Sequence, residues 1–230
     1  VIDFDSQFDV YAHLGLNNTG LIVRIGGTSP SISVDKLRFQ VTFGSCDSVD
    51  RAPEGCLQYF TGSYVPSIKS FNWIPGRAGR HLADQDYSIC FRREDSQCGV
   101  CFQQCSENAL YGSFSIEGRA QQHLNSNAKF PVSQLNPCMF DYVNIPCGRQ
   151  KGFSSNKCGA DRYCGDILST DTTFVTPGLP RTVCTYQQPF MIRFKTDGQE
   201  MTPNQETPMG LVADPLNAGF CLQAVKEGCS

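Results

Sequence analysis

The sequence predicts an all-β sandwich fold, from three features: alternating apolar and polar residues, frequent turn residues and many cysteines. Residues 36–43 alternate strictly between apolar and polar side chains, as a half-buried strand does. Residues 190–195 repeat the pattern, with Phe190, Ile192 and Phe194 facing inward. Twenty-one glycines and thirteen prolines interrupt the 230 residues too often for long helices. Many short strands joined by turns are therefore expected.

Shorter alternations predict further strands at residues 21–25, 87–92, 114–117 and 220–225. One segment without glycine or proline, 119–130, has alanine and leucine at intervals of four, which predicts a short helix or a loop.

The cysteine count indicates an oxidising compartment. Thirteen cysteines are typical of a secreted chain and unusual in a reducing cytosol. Asn17, in Asn17-Asn18-Thr19, is a predicted glycosylation site. Because the chain begins at Val1, we expect a mature protein or excised fragment whose targeting peptide has been removed. The net charge of −3 offers no electrostatic footprint for nucleic acid or an anionic membrane, and no apolar run approaches the ~20 residues that span a bilayer.

The C-terminal half carries four short segments that form one recognisable pattern. A cysteine, an aromatic residue and an aspartate (Cys138, Phe140 and Asp141) are followed by Arg162-Tyr163-Cys164-Gly165. Two further matches are Phe194-Lys195-Thr196-Asp197 and Gly219-Phe220-Cys221-Leu222. This pattern resembles the CUB domain, a jelly-roll β-sandwich used for protein recognition. The resemblance implies a Cys138–Cys164 disulfide.

The N-terminal half resembles a divergent CUB-like domain of arthropod secreted proteins. Its marks are residues 53–62, the segment Ser70-Phe71-Asn72-Trp73 and residues 81–90. Because the order of elements parallels that of the second half, we expect two tandem CUB-like modules, a divergent one at 1–105 and a second one at 106–230.

Many CUB domains hold calcium through three acidic side chains, and the resemblance places two of them at Asp141 and Asp197. Ser133 stands where the third, a glutamate, is expected, and a hydroxyl is a poor substitute for a carboxylate. The alternatives are that Asp141 caps a loop or pairs with Arg162 and that Asp197 forms a turn. These alternatives are favoured over a metal, and no other cofactor is predicted.

Local spacing suggests most of the remaining disulfides, although sequence alone does not fix connectivity. The plausible pairs besides Cys138–Cys164 are Cys46–Cys56, Cys90–Cys98, Cys147–Cys158 and Cys221–Cys229. Cys101, Cys105 and Cys184 are left over. Two of these are expected to bridge, so that one odd cysteine remains, either as a buried thiol, which is favoured, or as a link to another chain. The C-x-x-C at Cys98 is read as structural rather than as a redox or zinc motif.

No catalytic residue is predicted, because the sequence has no recognisable nucleophile, metalloprotease, phosphate-loop or dinucleotide motif. The first hypothesis is a secreted, non-catalytic protein that binds an extracellular protein or a second copy of itself. The alternative is the regulatory or substrate-binding region of a larger secreted serine protease, and a third is a carbohydrate-binding module.

Overall fold

The computed structural model describes residues 44–62, 64–74, 81–106, 113–116, 131–132, 138, 140–152, 158–165, 167–170, 182–198 and 218–229. In these ranges the chain forms eleven strands and no helix. The strands are β1 (Cys56–Phe60), β2 (Ile68–Lys69), β3 (Asp86–Phe91), β4 (Gln97–Gln104), β5 (Phe114–Ser115), β6 (Pro131–Val132), β7 (Tyr142–Gln150), β8 (Ala160–Gly165), β9 (Val183–Thr185), β10 (Met191–Lys195) and β11 (Gly219–Gly228).

The predicted strands that fall in the described part are present. Those at 87–92, 114–117, 190–195 and 220–225 correspond to β3, β5, β10 and β11. The expected strands at 21–25 and 36–43, the helix or loop at 119–130 and the glycosylation site at Asn17 lie outside the described residues.

The strands form one curled sheet in the order β1-β3-β10-β7-β9-β4-β11-β2. Strands β8 and β5 pair with β7 and β11, and β6 pairs with β8. All of these pairs are antiparallel except β1 with β3. The sheet encloses one large apolar core. Strands β1, β3 and β10 form one section of the sheet, strands β9, β4, β11 and β2 form the other, and β7 pairs with both. Aromatic contacts join the two sections, since the ring centroids of Phe91 and Phe102 lie 5.5 Å apart and those of Phe194 and Phe220 lie 5.2 Å apart.

Strand β7 turns the corner between the two sections. Its first half pairs with β10 and its last residues, Arg149 and Gln150, pair with β9. The register against β8 shifts between Asn144 and Gly148, and Cys147 has a φ of 51°. The backbone N–H of Cys147 donates to Asp161 Oδ1 at 2.7 Å. This bulge bends the strand and lets it serve both sections.

The strands of the two expected modules are interleaved in this sheet. From the first half, β3 pairs with β10 and β4 pairs with β9 and β11. At the expected joint, the N–H of Cys105 donates to the carbonyl of Cys221 at 3.0 Å. The strand pairing therefore crosses the expected division at 105/106, because similar element order in two halves does not specify which strands pair.

Six disulfides use twelve of the thirteen cysteines. They join Cys56–Cys90, Cys98–Cys229, Cys101–Cys184, Cys105–Cys221, Cys138–Cys164 and Cys147–Cys158. Three of them close loops of 83, 116 and 131 residues. In the chain-entropy model, each of these three disulfides, taken singly, stabilises the fold by roughly 4.5–5 kcal/mol.

Two disulfides, Cys138–Cys164 and Cys147–Cys158, follow the expected pairing. The expected pairs Cys46–Cys56, Cys90–Cys98 and Cys221–Cys229 are wrong, because most of the bridges join strands that are neighbours in space and distant in sequence. The odd cysteine is Cys46, and it is exposed rather than buried.

Candidate functional site

The two aspartates expected at a metal site lie together at one end of the sheet. Asp141 immediately precedes β7 and is only 3% exposed, and Asp197 lies just beyond β10. The backbone N–H of Asp197 donates to Asp141 Oδ1 at 2.7 Å. Asp141 therefore fixes the start of the loop that follows β10, a role close to the loop-capping alternative.

The loop before β3 is joined to the same end by four further hydrogen bonds, one of them from the N–H of Thr196 to the carbonyl of Gln85 at 2.9 Å. The N–H of Asp84 donates to the carbonyl of Asp197 at 2.8 Å. The buried hydroxyl of Thr196 donates to the carbonyl of Leu82 at 2.8 Å and accepts from the N–H of Gln85 at 2.8 Å. These bonds tie segments from the two halves of the chain into one ordered loop cluster.

A histidine completes this cluster from the interior. The side chain of His81 is fully buried, and its Nε2 lies 3.8 Å from Asp141 Oδ2. Its Nδ1 lies 3.5 Å from the carbonyl of Leu82. His81 also packs edge-on against Phe194, with ring centroids 5.7 Å apart. Because the imidazole is sealed from solvent, it cannot reach a substrate in this arrangement.

The described residues bring Asp141 and Asp197 to the same end of the sheet without a third acidic side chain grouped with them. No three or more His, Cys, Asp or Glu side chains in the described part of the chain form a group that would hold a metal ion. One oxygen of Asp141 already accepts a backbone N–H, and the other faces His81. Ser133 lies outside the described residues. The alternative in which Asp141 pairs with Arg162 is not formed, since Arg162 stacks on Tyr142 and donates to the carbonyl of Cys138.

A second group of polar and charged side chains lies on the outer face of β3, β10, β7 and β8. One register row places Ser88, Arg193, Asn144 and Arg162 side by side across these strands. The residues on either side of Arg193 are buried and Arg193 is exposed, so this row points away from the core. The next row carries Asp86, Lys195 and Tyr142.

Direct contacts connect these two rows. Arg193 donates from Nε and Nη2 to the two carboxylate oxygens of Asp86 at 2.5 and 2.6 Å. The guanidinium carbon of Arg162 lies 4.4 Å from the ring centroid of Tyr142. We call Arg162, Tyr142, Arg193, Asp86 and Lys195 the basic face.

The charges on the basic face influence one another. The hydrogen bond from Arg193 lowers the pKa of Asp86, as do the positive charges of Arg193 and Lys195, against a smaller opposing effect of burial. The hydrogen bond to Asp86 in turn raises the pKa of Arg193, and the nearby phenol of Tyr142 adds to this effect. Sequence reasoning missed this face. The alternation of β10 indicates that Arg193 and Lys195 point outward, but not which strands flank them.

One family comparison matches most of the chain. The model of the animal CUB domain matches residues 53–226 as a single unit. No curated protein matches the chain significantly. In the described part, no helix is long and apolar enough to cross a membrane.

Proposed function

The chain belongs to the animal CUB domain family, and on this premise we propose that it is a secreted, non-catalytic recognition protein that binds another extracellular protein. The family match carries the proposal, because CUB domains typically mediate protein–protein interaction. The six disulfides support an extracellular location, since such bonds persist in oxidising compartments.

The architecture supports binding over catalysis. The long-range disulfides hold the strands in one arrangement, and a scaffold already ordered before binding loses little conformational entropy on association. The described histidine, His81, is buried among Asp141, Leu82 and Phe194. General acid–base catalysis needs such a group within hydrogen-bond reach of a substrate.

Self-association is part of the proposal, with the exposed thiol of Cys46 as one route to a covalent dimer. Sedimentation velocity of the wild type and of Cys46→Ser, without reductant, separates the cases. A dimer that Cys46→Ser retains indicates a non-covalent interface, and a dimer that Cys46→Ser loses indicates a Cys46 bridge.

The decisive experiment is capture of partners from the tissue fluid of the source, followed by titration of each purified candidate in a calorimeter. We expect at least one extracellular protein to bind saturably, and reduced, alkylated protein to lose that binding. If no purified candidate binds saturably, the proposal is wrong. The alternative, a regulatory region of a larger serine protease, predicts a full-length transcript that also encodes a trypsin-like region with Gly-Asp-Ser-Gly-Gly.

A further inference from the structure

The basic face combines fixed and unpaired positive charges. Arg193 is held by two bonds to Asp86, so its charge is largely neutralised. Arg162 is exposed, and besides its stacking on Tyr142 it makes one hydrogen bond, from Nη1 to the carbonyl of Cys138 at 3.3 Å. Its other N–H groups have no acceptor among the described residues. Lys195 is partly exposed and forms no ion pair in the described part of the chain.

The acidic residue next to Arg162 does not cancel this charge. Asp161 turns toward the bulge in β7, where its Oδ1 accepts the N–H of Cys147 at 2.7 Å. The face therefore keeps two cations without an ion pair in the described part of the chain, Arg162 and Lys195, on the two strands that flank Tyr142. Asp84 and Asp197 lie beyond Lys195, at the end of the sheet. Cations that are not neutralised by an ion pair and that flank an aromatic ring favour carboxylates of a partner.

We propose that the basic face is a docking surface for an acidic segment of a partner protein. In this arrangement Arg162 and Lys195 bind two carboxylates, and Tyr142 packs against the segment between them. The inference rests on the proposed function and names the chemistry of the partner. Tyrosine and arginine are the residue types that contribute most often to the energetic centres of protein interfaces.

The composition of the face favours a protein over a sulfated polysaccharide. Asp84 is exposed beyond Lys195 at the end of the sheet, and its carboxylate repels a continuous polyanion. A protein segment carries separate carboxylates and can place uncharged residues near Asp84. Arg162 also offers a planar guanidinium, whose geometry matches a carboxylate.

The strand geometry sets the spacing of the two carboxylates. Arg162 on β8 and Lys195 on β10 are separated by β7 and by one register row. With strands ~4.8 Å apart and ~6.8 Å between rows, their backbone positions lie about 12 Å apart. Side chains four residues apart on an extended segment are separated by about 13 Å and point to the same side. The expected ligand is therefore an extended segment with acidic residues at positions i and i+4.

The test uses the full chain and a synthetic peptide, acetyl-Gly-Ser-Glu-Val-Thr-Val-Glu-Ser-Gly-amide, titrated into ¹⁵N-labelled protein. We expect saturable shifts confined to amides of β3, β10, β7 and β8, and at least tenfold weaker binding when both glutamates become glutamines. Arg162→Glu and Lys195→Glu should each weaken binding about tenfold. Lys69→Glu, the same charge change on β2 at the other end of the strand order, should stay within twofold.

Three outcomes overturn the inference. They are the absence of shifts on the basic face, equal weakening by Lys69→Glu, and binding of a heparin oligosaccharide to this face when the peptide does not bind. A captured partner that binds Arg162→Glu and Lys195→Glu as tightly as the wild type also overturns it. That last result does not contradict the proposed protein-recognition function, so an experiment can refute the docking surface without refuting that function.

Discussion

The buried ammonium of Lys226 is expected to be a major source of stability where β11 meets the β3–β4 connection. Its side chain is only 1% exposed, and Nζ donates to the carbonyls of Gly62 and Arg92. Nζ also lies 3.6 Å from Glu94 Oε1. Lys226→Met retains most of the apolar stem but removes the ammonium, which leaves both carbonyls without this donor.

The size of the effect follows from opposing contributions. Each hydrogen bond to a charged group stabilises a protein by about 1.5–3 kcal/mol. Part of that gain is offset because burial disfavours the ammonium, as the lowered pKa of Lys226 shows. Methionine also recovers apolar burial. We therefore expect Lys226→Met to reduce the free energy of unfolding by about 2–4 kcal/mol. For a chain of this length, that corresponds to a melting temperature roughly 5–15 °C lower.

Chemical denaturation with the disulfides intact measures this loss, with the fluorescence of Trp73, the single tryptophan, as the probe. The matched control is Lys151→Met. Lys151 pairs with Glu227 but is 54% exposed, so its loss should be about 0.5 kcal/mol or less. Equal losses for the two variants would refute the reasoning, because burial would then make no difference.

Four further predictions concern backbone strain, the free thiol, a salt bridge and calcium. Gly219→Ala should lower the free energy of unfolding by about 2–4 kcal/mol and Gly152→Ala should lower it by about 1 kcal/mol, as measured by chemical denaturation. Both have positive φ, but only at Gly219 would the added Cβ lie 2.0 Å from a buried serine hydroxyl. Ellman titration should find one thiol per chain and none in Cys46→Ser; no thiol and a doubled mass on a non-reducing gel would mean a linked dimer. NMR titration should give Asp86 a pKa below its ordinary 3.8, and Arg193→Gln should raise that pKa. Because the pKa is lower in the folded state, the Arg193–Asp86 pair contributes stability above pH 3.8, and this stability is lost as the pH falls through the lowered pKa. Millimolar calcium should not raise the melting temperature appreciably; a rise of several degrees that a chelator reverses would contradict this.

Local sequence pattern predicted individual strands well and their neighbours poorly. The alternation in β10 assigns Ile192 and Phe194 to the core, where both are buried. The bulge in β7 has no such signal, because a positive φ at a non-glycine residue, Cys147, is imposed by the surrounding structure. Strand pairing depends on contacts between distant residues, which is why two modules were expected where the described strands share one sheet.

The same limit applies to the cysteines and the loop cluster. Preferring local pairs was correct for Cys147–Cys158 within a hairpin and wrong for Cys98, whose partner is 131 residues away. The resemblance brought Asp141 and Asp197 together correctly. Their contact with the loop that carries His81 could not be predicted, because that loop comes from the other half of the chain.

The basic face is ordered on strands rather than on loops, and this affects how it would bind. Arg193 is fixed by Asp86, and Arg162 is positioned by the ring of Tyr142 and the carbonyl of Cys138. Immobilising a long side chain on binding costs about 0.5–1.5 kcal/mol. Because two of the three cations already have defined contacts, most of this cost would fall on Lys195. The rigid face thus favours a partner segment whose carboxylates match its spacing, and it selects against segments whose acidic residues are spaced differently.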